Sequence, residues 1–280
     1  MIFFKLLRYD LKNGLLHFWK RYVLAFLLFL MACGDFLIRW DMMCYPHPEI
    51  RKVLPSLGDY LAYSTIGIPP FEPASKTPFI FPALWILFYT LICCFQVSYP
   101  FQDLIGFGKH LLISSGKRSL WWLSKCVWCV CSVGIYFLIY YLAALLFTLC
   151  SGGHFTLELN KYIDQILTIP APAGQTREIM AVLFTMPFLT TISFSILQMT
   201  LSLFMKPFFS FGIVITCFFI STYYMHPFIF GNYAMLLRSM TWSEVGLSPF
   251  FGMIFLILLI LLSGGIGWYR FCRYDIINKE

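Results

Sequence analysis

The stretch Ser114-Ser115-Gly116-Lys117-Arg118-Ser119 has the small residues and the lysine of a phosphate-binding loop. A loop that wraps a triphosphate needs a glycine five residues before its Gly-Lys pair and a Ser or Thr after the lysine. Leu111 and Arg118 occupy those two positions. If ATP drives this protein, another chain must bind it. Other chemistries fail on similar grounds. No His-Glu-x-x-His offers a helix-borne zinc site, and no Gly-x-Ser-x-Gly offers a nucleophile elbow. Haem held between spanning helices needs paired histidines, and only His226 falls within an expected span, near its outer end. No catalytic group, metal site or resident cofactor is therefore expected, and the chain reads as non-catalytic by itself.

The polar residues that remain inside apolar stretches are few. Asp35 stands one helical turn before Arg39 near the outer end of the first span, a spacing that allows an ion pair. Gln198, with Thr190, Thr191, Ser193 and Ser195 in the fourth span, offers hydrogen bonds between helices. Asp35, Arg39 and Gln198 are the candidate substrate or gate residues. The spans otherwise read as nearly free of charge, with no midplane acid of the kind that proton- or sodium-coupled carriers need. Seven of the ten cysteines lie in apolar runs and act as packing residues; Cys44 and Cys150 fall on the expected outer side, where a bridge is conceivable.

The elements that position these residues follow from composition. Hydrophobic residues make up 60% of the 280 and charged residues 12%, about half the charge of a soluble domain. The expected fold is a single all-α integral membrane domain over residues 1–280. Six long apolar stretches predict spans at about 22–40, 78–98, 120–149, 179–204, 208–230 and 249–269. Thr77-Pro78 and Ser248-Pro249 read as helix starts. Prolines 46, 48, 55, 69, 70 and 73 break the 41–77 loop, Lys206-Pro207 makes a tight return, and residues 231–248 read as a re-entrant or interfacial segment with Trp242 at headgroup depth.

Residues 1–21 read as an amphipathic helix on the cytoplasmic membrane surface. Phe4, Leu7, Leu11, Leu15, Phe18 and Tyr22 form one apolar stripe, with Lys5, Arg8, Lys12, Lys20 and Arg21 off it.

The net charge of +7 raises nucleic acid as a partner, but no basic patch lies on a soluble domain, so membrane lipids are the expected partner. Placing the N-terminus inside puts thirteen of the 20 Lys and Arg residues in the cytoplasm (5, 8, 12, 20, 21, 109, 117, 118, 125, 206, 270, 273 and 279). Seven fall outside (39, 51, 52, 76, 161, 177 and 238). The bias favours both ends inside.

Asp103 to Ile113 is predicted to form a short cytoplasmic helix weakened by Gly106 and Gly108. With the surface helix, six spans, tight turn and re-entrant segment, the layout resembles the membrane subunit of type-2 ABC exporters, the ABC-2 permease family. Residues 112–125, from Leu112-Ile113-Ser114 to Leu123-Ser124-Lys125, are similar to that family's approach to the third span, and Arg270-Phe271-Cys272-Arg273-Tyr274-Asp275-Ile276 to its close. The resemblance implies a half-transporter without its own ATPase, in a bacterial plasma membrane. It would pair with a second permease copy or a homologous permease, above two ABC ATPase subunits that carry ATP and Mg. Asp103, Leu104, Gly106, Gly108, Lys109 and His110 would dock on the ATPase, and an amphipathic peptide, antibiotic or lipid-like molecule would be exported. Two other readings remain at this stage: a membrane-integral peptide-binding immunity or sensor protein, and an ATP-independent channel or carrier.

Overall fold

The computed structural model describes residues 2–45, 53–71, 79–172 and 174–273. Thr77-Pro78, the closing Tyr274-Asp275-Ile276, prolines 46, 48 and 73, and Arg51, Lys52, Lys76 and Lys279 lie outside the described residues. Eleven α-helices are found among those described: α1 (Ile2–Gly14), α2 (Trp19–Cys44), α3 (Leu57–Thr65), α4 (Ala83–Gln96), α5 (Tyr99–Ile105), α6 (Phe107–Ser115), α7 (Arg118–Ser151), α8 (Ile163–Leu167), α9 (Thr176–Leu201), α10 (Pro207–Tyr223) and α11 (Pro249–Cys272). No strand occurs among them.

The chain is an all-helical protein with five helical runs long and apolar enough to cross a membrane: Ile2–Cys44, Ala83–Ile105, Arg118–Ser151, Thr176–Leu201 and Pro249–Cys272. The 17 residues of α10 rise about 26 Å at 1.5 Å each, short of a hydrocarbon core of about 30 Å. The expected fifth span, 208–230, therefore shortens. His226 precedes Pro227, a position that disfavours helix, and α10 stops at Tyr223. His226 sits in the loop beyond, where its Nδ1 accepts from the Phe228 amide at 3.3 Å. The hairpin of α9 and α10 closes about Lys206: Phe194 and Phe218 stand equally far from it in sequence, and their rings meet at 4.0 Å.

The remaining boundaries have local causes. Ser56 and Asp59 form a reciprocal capping box that starts α3. Ser248 caps α11, with Pro249 in its first turn. Gly116 (φ 62°) and Gly152 (φ 71°) adopt the left-handed turn that ends α6 and α7. α7 is the central element. Its 34 residues rise about 51 Å, well beyond one hydrocarbon core. Tyr136 and Tyr140 pack edge-on against Phe29 of α2 and Phe88 of α4, and the Tyr136 hydroxyl donates to the Phe88 carbonyl at 2.6 Å.

α1, α5, α6, the Lys206 turn and the close of α11 gather at one end of the bundle, here the near end. α3, α8 and the loops following α7 and α10 form the far end.

The face of α1 that packs on the protein differs from the expected stripe. Leu6, Asp10 and Gly14 are the buried positions, while Phe4 of the stripe is exposed. The stripe Phe4-Leu7-Leu11 lies between that buried face and the basic arc of Lys5, Arg8 and Lys12, so α1 has three faces instead of two. Gly14 permits the approach: a Cβ there would sit 2.3 Å from the Trp128 indole nitrogen.

The hydroxyls of α9 also depart from expectation. Thr191, Ser193 and Ser195 donate back to carbonyls of their own helix around Pro187. Cross-helix bonds come from Gln198, whose Nε2 donates to the Cys93 carbonyl of α4 at 3.0 Å, and from Thr200, whose hydroxyl donates to the Ser263 carbonyl of α11 at 2.9 Å.

Candidate functional site

The near end holds a buried ionic junction. Lys125 lies in the first turns of α7 and is fully buried. Its ammonium contacts Asp10 of α1 and reaches Asp103 of α5 at 2.6 Å. Buried charges persist only when paired and hydrogen-bonded, and each carboxylate here has further donors. Asp10 accepts from the Tyr99 hydroxyl at 3.0 Å and from Ser124 Oγ at 2.5 Å. Asp103 accepts from the Tyr9 hydroxyl at 3.0 Å. The ammonium also stands 4.5 Å from the Tyr99 ring centre and 4.8 Å from that of Trp121. One cation thus ties three elements and faces two aspartates.

This junction corrects the reading of the spans as nearly charge-free, because Lys125 falls inside the expected 120–149 span. Counting it as a loop cation hid it. A lysine inside an apolar run, flanked by Trp121, Trp122 and Trp128, was the available signal. Asp10, the single acid of α1, was the other.

The six expected docking residues divide. Asp103, Leu104 and Gly108 point inward. Gly106 and His110 are exposed, and Lys109 is half-buried. Gly108 has no room for a side chain, since a Cβ would lie 2.2 Å from Asp103 Oδ2. The chain breaks at Gly106 into α5 and α6, and the surface there also presents Ile105, Phe107 and Ile113, all more than 60% exposed. Lys5, Arg8 and Lys12 remain on the outward side of α1.

The far end is built from loops that cap one another. Asp59 of α3 is fully buried and accepts from the Ser56 and Asn160 amides at 2.9 and 2.8 Å. Burial pushes its carboxyl above the ordinary aspartate value, against the pull of those two bonds. Arg238 is buried with no carboxylate partner among the described residues. Its guanidinium donates to the Ser221, Thr222 and Tyr224 carbonyls at the close of α10, to Asn232 Oδ1, and to the Ile68 carbonyl at 3.2 Å. A cation on the last carbonyls of a helix is favoured by their partial negative charge. Burial lowers Arg238 to about 10, so it stays cationic at neutral pH. Trp242, expected at headgroup depth, is buried and donates to the Pro170 carbonyl at 2.9 Å. No disulfide joins Cys44 and Cys150.

Between α2, α4 and these loops lies a cavity of about 750 Å³. Asp35, Arg39 and Tyr63 form its polar edge, and Ile68, Phe71, Phe79, Phe81, Leu84 and Trp85 are among its walls. Arg39 Nε donates to Asp35 at 3.0 Å, and the Tyr63 hydroxyl donates to the same carboxylate. Burial and Asp35 hold the Tyr63 phenol above its usual range, which keeps it a donor. Asp35 and Arg39 thus meet at one site. Gln198 does not join them, being buried between α9 and α4. Among the described residues, no group of three or more His, Cys, Asp or Glu side chains could hold a metal.

No curated protein and no solved structure matches the chain. Residues 53–277, from just before α3 through α11, match a family described as proteins of unknown function, DUF2705. The chain belongs to the DUF2705 family.

Proposed function

We propose that this chain is the membrane-spanning permease subunit of an ATP-driven exporter. In this reading it crosses a bacterial plasma membrane six times, α10 included, with both ends in the cytoplasm. The near end is then cytoplasmic. Two ABC ATPase subunits dock below, supplying ATP and Mg, and a second permease copy or a homologous permease completes the assembly. The cargo is an amphipathic peptide, antibiotic or lipid-like molecule.

The observation that carries the reading is the Lys125 junction. An exporter without its own ATPase must pass a push from a docked partner into its spans. The elements that would receive that push are α1 and the α5–α6 connection, and both are bonded to one ammonium rooted in α7. A load on either is transmitted to the longest helix of the bundle through a buried, fully partnered contact instead of a flexible loop. Ile105, Phe107 and Ile113 beside Lys109 give a partner an apolar surface with a basic edge.

A second reading, a peptide-binding immunity or sensor protein, draws on the far-end cavity, a site whose use needs no turnover. Co-purification separates the two. The tagged chain is extracted gently from its own host and its companions are identified. A soluble protein with a phosphate loop, in near-equal amount, supports the exporter. Recovery of the chain alone, even after crosslinking, overturns it.

A further inference from the structure

The ion pair at the edge of the far-end cavity is unusual in being only half used. Asp35 and Arg39 are bonded to each other, yet their side chains remain 50% and 55% exposed. Each therefore keeps a face for another partner. Their depth is fixed by the helix that carries them. Arg21, whose guanidinium donates to the Phe95 carbonyl at the near end, precedes Asp35 by about 21 Å and Arg39 by about 27 Å along α2. In a hydrocarbon core of about 30 Å the pair then stands near the far edge, where glycerol and phosphate groups of a lipid lie.

Below the pair the walls are apolar and open to the side. Ile80, Phe81 and Leu87 are exposed on the flank. Leu84 and Leu87 also line a narrow slot between α2 and α4, together with Leu28, Ala32, Phe88 and Leu91. The slot shares Leu84 and Leu87 with the cavity, but its free volume of about 20 Å³ is too small for an acyl chain, so a chain must lie along the open flank of Ile80, Phe81 and Leu87. A peptide backbone laid on that flank would leave its N–H and C=O groups unpaired, which disfavours a peptide. A methylene chain has no such demand.

We propose that this cavity binds a zwitterionic phospholipid of the adjoining leaflet, with the phosphate at Arg39, the ammonium at Asp35 and one acyl chain along the apolar flank of Ile80, Phe81 and Leu87. The charge pattern selects the headgroup. Arg39 is already balanced by Asp35, so a purely anionic head gains from one and is repelled by the other. A head bearing both charges complements both. The site stands whether or not an ATPase docks at the other end.

The test uses the purified full-length chain in mild detergent, with native mass spectrometry reading retained lipid. Dioleoyl phosphatidylethanolamine and dioleoyl phosphatidylglycerol are offered in equal amounts. The wild type is expected to retain one molecule of the zwitterionic lipid, preferred roughly tenfold. The double variant Asp35→Asn, Arg39→Gln should lose that preference. Leu87→Trp, which crowds the apolar flank and leaves the pair intact, should cut retention roughly tenfold. Leu262→Trp on the exposed flank of α11 should change neither. Equal retention of both lipids by the wild type overturns the proposal, as does full retention in Leu87→Trp. If the double variant fails to fold, the wild-type preference and the Leu87 variant still decide the matter.

Discussion

Lys125→Met removes the ammonium from the near-end junction and keeps most of its volume. It leaves Asp10 and Asp103 buried, at 2% and 7% exposure, with only Tyr9, Tyr99 and Ser124 as donors. Neutralising an aspartate at pH 7 costs about 4 kcal/mol, which caps the penalty for each. Removing one partner from a buried pair costs about 3–5 kcal/mol. The expected loss lies in that range, a fall of roughly 10 °C in melting temperature. The junction has one carboxylate in excess, so the response is asymmetric. Asp103→Asn leaves a neutral pair and should cost about 1 kcal/mol, the worth of one exchanged hydrogen bond. The triple variant Asp10→Asn, Asp103→Asn, Lys125→Met holds no charge and should recover most of the single variant's loss. Thermal scans of the four proteins in one detergent give the comparison. A Lys125→Met melting temperature within 2 °C of wild type, or a triple variant no better than the single, would refute the reasoning.

Three further outcomes follow from named contacts. Arg238→Leu strips partners from the carbonyls that end α10 and should cost about 3 kcal/mol; Arg238→Lys should rescue little, because one ammonium cannot reach the five acceptors that the guanidinium fork serves, and melting temperatures check both. Gly14→Leu drives its Cβ into Trp128, so α1 should lift from α7, seen as faster proteolysis within residues 2–18 while the spans stay protected. Asp59→Ala removes the capping box of α3 and the bond to Asn160, with an expected loss of about 1–2 kcal/mol. Its pH dependence has a definite sign. The folded-state value of Asp59 is raised, so its contribution is fullest below the ordinary aspartate value and declines as pH rises through the folded one. The gap between wild type and Asp59→Ala should therefore narrow from acid toward neutral pH.

Much of the architecture was legible because apolar runs bounded by caps have few alternatives. The first, third, fourth and sixth stretches became α2, α7, α9 and α11 within a few residues, and Lys206-Pro207 was readable as a tight return. What escaped was set by tertiary contact. The close of α10 depends on Arg238, which reaches it from 14 to 17 residues away in sequence. The hydroxyls of α9 gave no sign that Thr191, Ser193 and Ser195 would bond back to their own helix. The packing face of α1 was hidden because Asp10 counts as polar on any scale, yet it is buried by a lysine from another helix. Asp35 and Arg39 were legible as a pair from spacing alone, but the cavity beside them is assembled from α4 and loop residues far away in the chain. Lys125 and Arg238 are both buried, so one is lost from each side of the positive-inside tally.

The central claim is that a partner docks on the α5–α6 surface. A photocrosslinking amino acid at Phe107, in living cells of the native host, tests it at the residue. The account expects one dominant adduct with a soluble protein bearing a phosphate loop, and no such adduct from the same group at Leu262 on the α11 flank. Phe107 adducts only with lipid, or the same adducts from both positions, would contradict it.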